Sequence, residues 1–202
     1  LKILNLQKPD DRLPMIEWAP WWDLTLARWQ CEGVPDFSHK PDGEKETSNE
    51  QFIKSLDYFG LDKLVCIYAR GLSADAPKPA FHGAGLAADE QGYEELRPFL
   101  YAQSELDDLL ETARQLKERH ERGELIIRLW LDGFFWFPRT VLGIERHLYA
   151  FYDQPELMHR MNSELAEYNI RVIEALFPIL APDMVGFAED MSYNHGPMLS
   201  HK

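Results

Sequence analysis

Apolar residues recur along the chain in two rhythms that predict alternating strands and helices. Leu13 to Ala19 is apolar between Asp10-Asp11 and Pro20 and predicts a first strand. Trp21 to Gly33 predicts a helix, stopped by Gly33-Val34-Pro35. Phe37 to Glu46 is polar, with Pro and Gly, and reads as a loop. Asn49 to Phe59 predicts a short amphipathic helix capped by Ser48 or Asn49 and ended by Gly60. Leu61 to Tyr68, rich in Val and Ile, predicts a second strand.

Residues 70–88 form a long irregular stretch with Pro77, Pro79, Gly83 and Gly85, and a loop of that length usually has a task. Glu90 to Tyr101 is expected to be helical up to Pro98. The clearest helix is Ser104 to Arg122, where Leu106, Leu109, Leu110, Ala113 and Leu116 share one face. Glu124 to Leu131 predicts a third strand. A turn heavy with aromatics follows, Gly133 to Arg139. Helices are expected over Thr140–Tyr152 and Pro155–Leu180, with Pro155 in the first turn of the second. Met184 to Ala188 predicts a fourth strand, and Glu189 to Pro197 a loop. Leu1 to Leu6 reads as the tail of a helix already under way, and residues 196–202 stop without a terminal element. The expectation is a piece of a longer protein, organised as one domain over 1–202.

Strands that alternate with helices imply parallel pairing and an α/β fold. No GxGxxG follows the first strand and no GxxxxGK[ST] occurs, so the usual cues of dinucleotide and P-loop folds are missing. A barrel of eight strand–helix units needs ~250 residues. Four strands in 202 residues amount to about half of one.

Charge narrows the partners. The chain has 21 Lys plus Arg against 34 Asp plus Glu, a net charge of −13. Such a chain lacks the footprint of a nucleic-acid binder and should avoid anionic membranes. No apolar run approaches the ~18 residues of a membrane span. Cys31 and Cys66 form no CxxC pair, and their sparseness fits a cytoplasmic setting.

Candidate chemistry gathers at three strand ends, where parallel α/β folds place their sites. The first offers Glu17, Trp18 and, just beyond, Asp23. The second group is Asp132, the ring cluster with Phe134 and Trp136, and Arg139. The third is Glu189, Asp190, Asn194 and His195. An acid between Ile16 and Trp18 costs desolvation unless it has a role or a partner. Adjacent carboxylates on a strand point to opposite faces, so one of Glu189 and Asp190 is expected to face the site. His195 is an acid/base candidate near neutral pH. Arg139 could clamp an anion or pair with Glu145. Glu17, Asp190 and His195 are the expected catalytic groups, and Trp18, Asp132, Phe134, Trp136, Arg139, Glu189 and Asn194 the expected substrate-binding ones. All are expected to meet at one cleft. His120, His147 and His159 stand beside arginines and read as solvated. No two His or Cys residues stand at ligand spacing with a third, so no metal site is expected within the chain.

Five stretches carry a resemblance: PWWDLTLARWQCEGVP at 20–35, YFGLD at 58–62, GFFWFPRTVLGIE at 133–145, FYDQPELM at 151–158 and VGFAEDMSYNHGPMLS at 185–200. In this order and spacing the chain resembles the uroporphyrinogen decarboxylase superfamily. The resemblance implies a TIM barrel with a deep central cleft, of which this chain would hold the N-terminal half. The superfamily includes the cofactor-free decarboxylase and zinc-dependent methyltransferases that work with corrinoid proteins and thiols. Those decarboxylases carry an arginine-rich signature after the first strand, where Pro14 to Asp23 here offers no arginine and two acids. They also place an aspartate at the end of the second strand, where this chain has Ala69 beside Arg70. Asp190 matches the aspartate of the family's fourth-strand region. The methyltransferases' zinc ligands belong to the barrel's later half, beyond Lys202. The resemblance therefore implies an enzyme acting on a small molecule, with methyl transfer to or from a corrinoid protein or a thiol ahead of decarboxylation of a tetrapyrrole or other acid. A non-catalytic ligand-binding barrel is the remaining alternative, and a homodimer is one assembly open to it.

Overall fold

The computed structural model describes residues 2–3, 5–10, 12–40 and 43–200. Leu1, Leu4, Asp11, Pro41, Asp42, His201 and Lys202 lie outside them, and with them parts of the expected N-terminal helix tail, of the first strand's flank, of the 37–46 loop and of the chain's end. The elements in order are α1 (Asp23–Cys31), α2 (Ser48–Tyr58), β1 (Leu64–Ala69), α3 (Glu90–Glu95), a 3-10 turn (Arg97–Phe99), α4 (Gln103–Glu121), β2 (Ile126–Asp132), α5 (Trp136–Leu142), α6 (Ile144–Asp153), α7 (Pro155–Leu176), β3 (Met184–Ala188), β4 (Ser192–Tyr193) and β5 (Gly196–Pro197). β1, β2 and β3 form a parallel sheet in that order, and β4 pairs antiparallel with β5. The fold is mixed α/β.

Two compact units divide the chain. The first comprises Leu1–Cys66, Leu116–Arg128 and Pro182–Met184. The second comprises Ile67–Gln115, Leu129–Ala181 and Val185–Lys202. In the first, Ile53 and Leu56 of α2 are buried, as are Leu64 and Val65 of β1. Thr47, not Ser48 or Asn49, caps α2, its hydroxyl accepting from Glu50 N at 3.3 Å. In the second, Tyr93, Phe137, Met161 and Leu165 anchor one apolar cluster. Rotamer-rich Met and rigid rings fill it together, as close packing requires.

Several expectations need correction. Leu13 to Ala19 makes no strand: Ile16 alone bridges, in parallel, to Asp62. Pro14 lacks an N–H to give a ladder, and Leu13, Met15 and Ile16 stay exposed. The described residues of the N-terminal hexapeptide form turns, with Asn5 and Gln7 N–H groups both donating to Lys2 O. The aromatic turn is shorter than expected, because helix α5 begins at Trp136. Pro138 fits there, since N–H groups of a first turn need no helical acceptor. The expected Thr140–Tyr152 helix is split at Gly143, whose φ of 83° is open to glycine. α7 ends at Leu176, two residues before Pro178.

The 70–88 stretch is irregular but tied down. Leu86 and Ala87 N–H groups both donate to Val141 O, at 2.7 and 3.0 Å, and Ile144 N donates to Gly83 O at 3.0 Å. A Cβ on Gly85 would stand 2.2 Å from the carbonyl carbon of Leu142, so backbone crosses backbone here. At the other end Ser73 N donates to Phe99 O and Tyr101 N to Gly71 O, both at 2.8 Å.

Candidate functional site

Within the second unit, the ends of all three parallel strands carry polar groups. β1 ends at Ala69 and continues into Arg70 and Gly71. β2 ends at Asp132, and β3 runs into Glu189. A strand's last residue is released from the ladder while still held by it, so its side chain is both placed and accessible to chemistry.

Asp132 is the centre of this arrangement. Its Oδ2 accepts from Gly71 N at 2.7 Å, and its backbone carbonyl accepts from Asn169 Nδ2 at 3.2 Å. Burial raises its pKa above the usual carboxylate range, and the Glu189 charge acts in the same direction. The Gly71 N–H and the Arg70 charge oppose the rise without cancelling it. Gly71 is itself fixed from the other side by Tyr101, whose φ of 55° is costly for an aromatic residue. Arg171 Nη2 holds the Tyr101 carbonyl at 2.9 Å, and the ring lies 5.7 Å from Phe137 and 5.4 Å from Tyr168. Asn169 and Tyr168 are buried, and the Asn169 Oδ1 and Tyr168 hydroxyl have no hydrogen-bond partner among the described residues. Burial pushes the Tyr168 hydroxyl up to about 12.

Glu189 turns toward the start of α5. Its carboxylate accepts from Phe135 N at 3.1 Å and from Trp136 N at 3.0 Å. Gly133 makes room for it: a Cβ there would stand 2.3 Å from the Glu189 carboxyl carbon and 2.5 Å from Ala188 O. Gly133→Ala is therefore expected to displace Glu189 and cost about 2 kcal/mol. Chemical denaturation checks this, and a loss under about 0.5 kcal/mol, the ordinary surface value, would contradict it.

Phe134 is partly exposed and stacks on Phe187 at 6.2 Å. Arg139 lies over the Trp136 ring at 4.7 Å rather than pairing with Glu145 as one reading expected. Arg70 similarly lies over Tyr68, at 5.9 Å. Asp190, Asn194 and His195 are exposed on the β3–β5 segment, with Asn194 Nδ2 3.3 Å from His195 Nε2 and the His195 ring 5.8 Å from Tyr193. Glu17 and Trp18 belong to the first unit. Glu17 Oε1 accepts from its neighbour Trp18 N at 2.9 Å, and Trp18 O accepts from Cys66 Sγ at 3.5 Å.

The structure thus brings Asp132, Phe134, Trp136, Arg139 and Glu189 into one unit beside Gly71, Asn169 and Tyr101, which the sequence reading did not single out. It also corrects two histidines. His147 is fully buried, with its ring 4.5 Å from Phe135 and 5.1 Å from Phe151. His120 Nε2 lies 3.0 Å from Asp183 Oδ2 and is mostly covered. His159 is exposed, as expected.

Among the described residues no three His, Cys, Asp or Glu side chains gather as a metal-ligand set. No described helix is long and apolar enough to cross a membrane. Compared with family models, curated proteins and solved structures, the chain matches none.

Proposed function

We propose that this chain belongs to an enzyme of the uroporphyrinogen decarboxylase type that acts on a small molecule at the C-terminal ends of β1, β2 and β3, within a TIM barrel of which it forms the N-terminal part. The reaction is methyl transfer with a corrinoid protein or a thiol as partner. The observation that carries this reading is the half-buried Asp132 carboxyl, raised in pKa and held by Gly71 N–H at a strand end. A carboxylate with a raised pKa is a stronger base, so it takes the proton of a bound thiol as the sulfur becomes the nucleophile. Glu189 organises the start of α5 behind it, and the Phe134 and Trp136 rings supply an apolar wall. Asp190 and His195, exposed on the following segment, are the second-line proton carriers of this reading.

Decarboxylation of an acid is the second reading. There the same Asp132, in its protonated form, delivers a proton to the carbon that loses CO2. Uroporphyrinogen itself is disfavoured. Its many carboxylates need cationic partners once desolvated, and the two arginines of the site, Arg70 and Arg139, already lie over rings. The test uses the protein with methylcob(III)alamin and 2-mercaptoethanol, followed by loss of the methyl–cobalt absorbance, and in parallel with uroporphyrinogen, followed by coproporphyrinogen. Methyl loss above the protein-free rate with no coproporphyrinogen is expected. Coproporphyrinogen formed within an order of magnitude of ~10 s⁻¹, a typical enzyme median, would overturn the reading.

A further inference from the structure

A separate cavity lies in the first unit, beside α1 and α2. We propose that this cavity, walled by Trp21, Phe37 and Phe52 and edged by Asp23 and Asp36, binds a small alkylated ammonium cation. The proposal does not rest on the reaction assigned to the strand ends.

The cavity measures about 350 Å³. That is near the lower end of the ~300–1,000 Å³ of small-molecule sites, so it suits a compact ligand. Its aromatic walls are braced. Trp21 packs edge-on against Phe52 at 6.0 Å, Trp29 at 5.5 Å and Phe59 at 5.2 Å, and Phe37 lies 5.7 Å from Tyr58. Leu26 adds an aliphatic surface. Rings held half-buried in this way present a negative π face to whatever enters.

The charge at the edge is of one sign. Asp23 and Asp36 line the cavity, and no Lys or Arg is among the described residues that do. The hydroxyl and backbone N–H of Ser38 hold the Asp36 carboxyl below the usual range, so it stays ionised. His39 stands 3.6 Å from Asp36, and a proton on it would compete with a bound cation. The nearby helix starts do not reverse the sign. Asp23 Oδ1 already accepts from Leu24 N at 2.8 Å, and the Thr47 hydroxyl from Glu50 N. An anion would meet two carboxylates, and a neutral apolar ligand would strip them of water without return. An alkylammonium satisfies both walls at once: its methyl groups meet the rings and its charge meets the carboxylates.

Calorimetric titration of the full chain with choline, with tetramethylammonium, and with uncharged 3,3-dimethyl-1-butanol tests this. Saturable one-to-one binding of both cations is expected, with the neutral isostere at least about tenfold weaker. Asp23→Asn/Asp36→Asn keeps a side-chain oxygen to accept from the Leu24 and Ser38 N–H groups and is expected to weaken the cations at least about tenfold while leaving the isostere unchanged. Near-ultraviolet dichroism of the tryptophans checks that the variant is folded, and Asp36→Asn alone serves if the pair is not. The absence of saturable cation binding, equal binding by the isostere, or unchanged binding in the folded variant would each overturn the proposal.

Discussion

Asp132→Asn is expected to lower turnover by about 10²- to 10⁴-fold, the usual worth of a positioned proton carrier. The substitution is close to isosteric, and the asparagine oxygen can still accept from Gly71 N, so the fold and substrate binding should survive. The loss should therefore fall on kcat, with KM little changed. The pH profile gives an independent readout. Burial raises the Asp132 pKa, so its base form appears at a higher pH than that of an ordinary carboxyl. Thiol methylation should rise with pH through that raised value in the parent protein, and this limb should vanish in Asp132→Asn. A variant that keeps activity within about threefold would remove Asp132 from the chemistry, since a positioned proton carrier is worth far more.

His147 sets the acid side of stability. It is fully buried between Phe135 and Phe151, and neither ring nitrogen has a partner among the described residues. Burial first, and the Arg139 charge second, push its pKa from 6.5 down to about 4. Between those values the unfolded chain binds a proton that the native chain refuses. Stability is thus whole above pH 6.5 and is lost as pH falls toward 4, by about 3 kcal/mol at 1.36 kcal/mol per pKa unit. His147→Leu keeps the volume near that of the ring and buries no unpaired polar atom. It is expected to match or exceed the parent's stability at pH 7 and to abolish this part of the acid dependence. Urea unfolding of both proteins at pH 7 and pH 4.5 measures the difference. Parallel losses in the two would show that His147 does not carry the effect.

The contrast between the two residues illustrates what a sequence conveys. Asp132 stands at the end of an Ile- and Leu-rich run, and period and composition alone locate such a position. β2 and β3 were legible for the same reason, with β3 matched from Met184 to Ala188. Leu13 to Ala19 offered the same apolar signal, yet a strand exists only where a neighbour supplies a ladder, and Pro14 subtracts from one. The start of α5 was hidden because aromatics are indifferent helix formers and Pro138 usually argues against a helix. The solvated reading of His147 rests on Arg146 beside it in sequence and misses the buried face. Helix neighbours lie three and four residues away, and Ala150 and Phe151 at those spacings mark the buried face. Asn169 sits mid-helix in α7, and its grip on the Asp132 carbonyl arises from tertiary packing that no local pattern encodes.

The tied excursion between β1 and α3 has a consequence for engineering. Nearly all of its backbone fastening lies at its two ends, around 71–76 and 83–87. Only the exposed span 77–82 is left as spare chain. A longer loop costs little once its ends are already held, because closure entropy grows only with the logarithm of length. An epitope or reporter peptide spliced between Pro77 and His82 would thus hang from two fixed posts, whereas the same insert a few residues later would have to force apart the contact between Gly85 and Leu142.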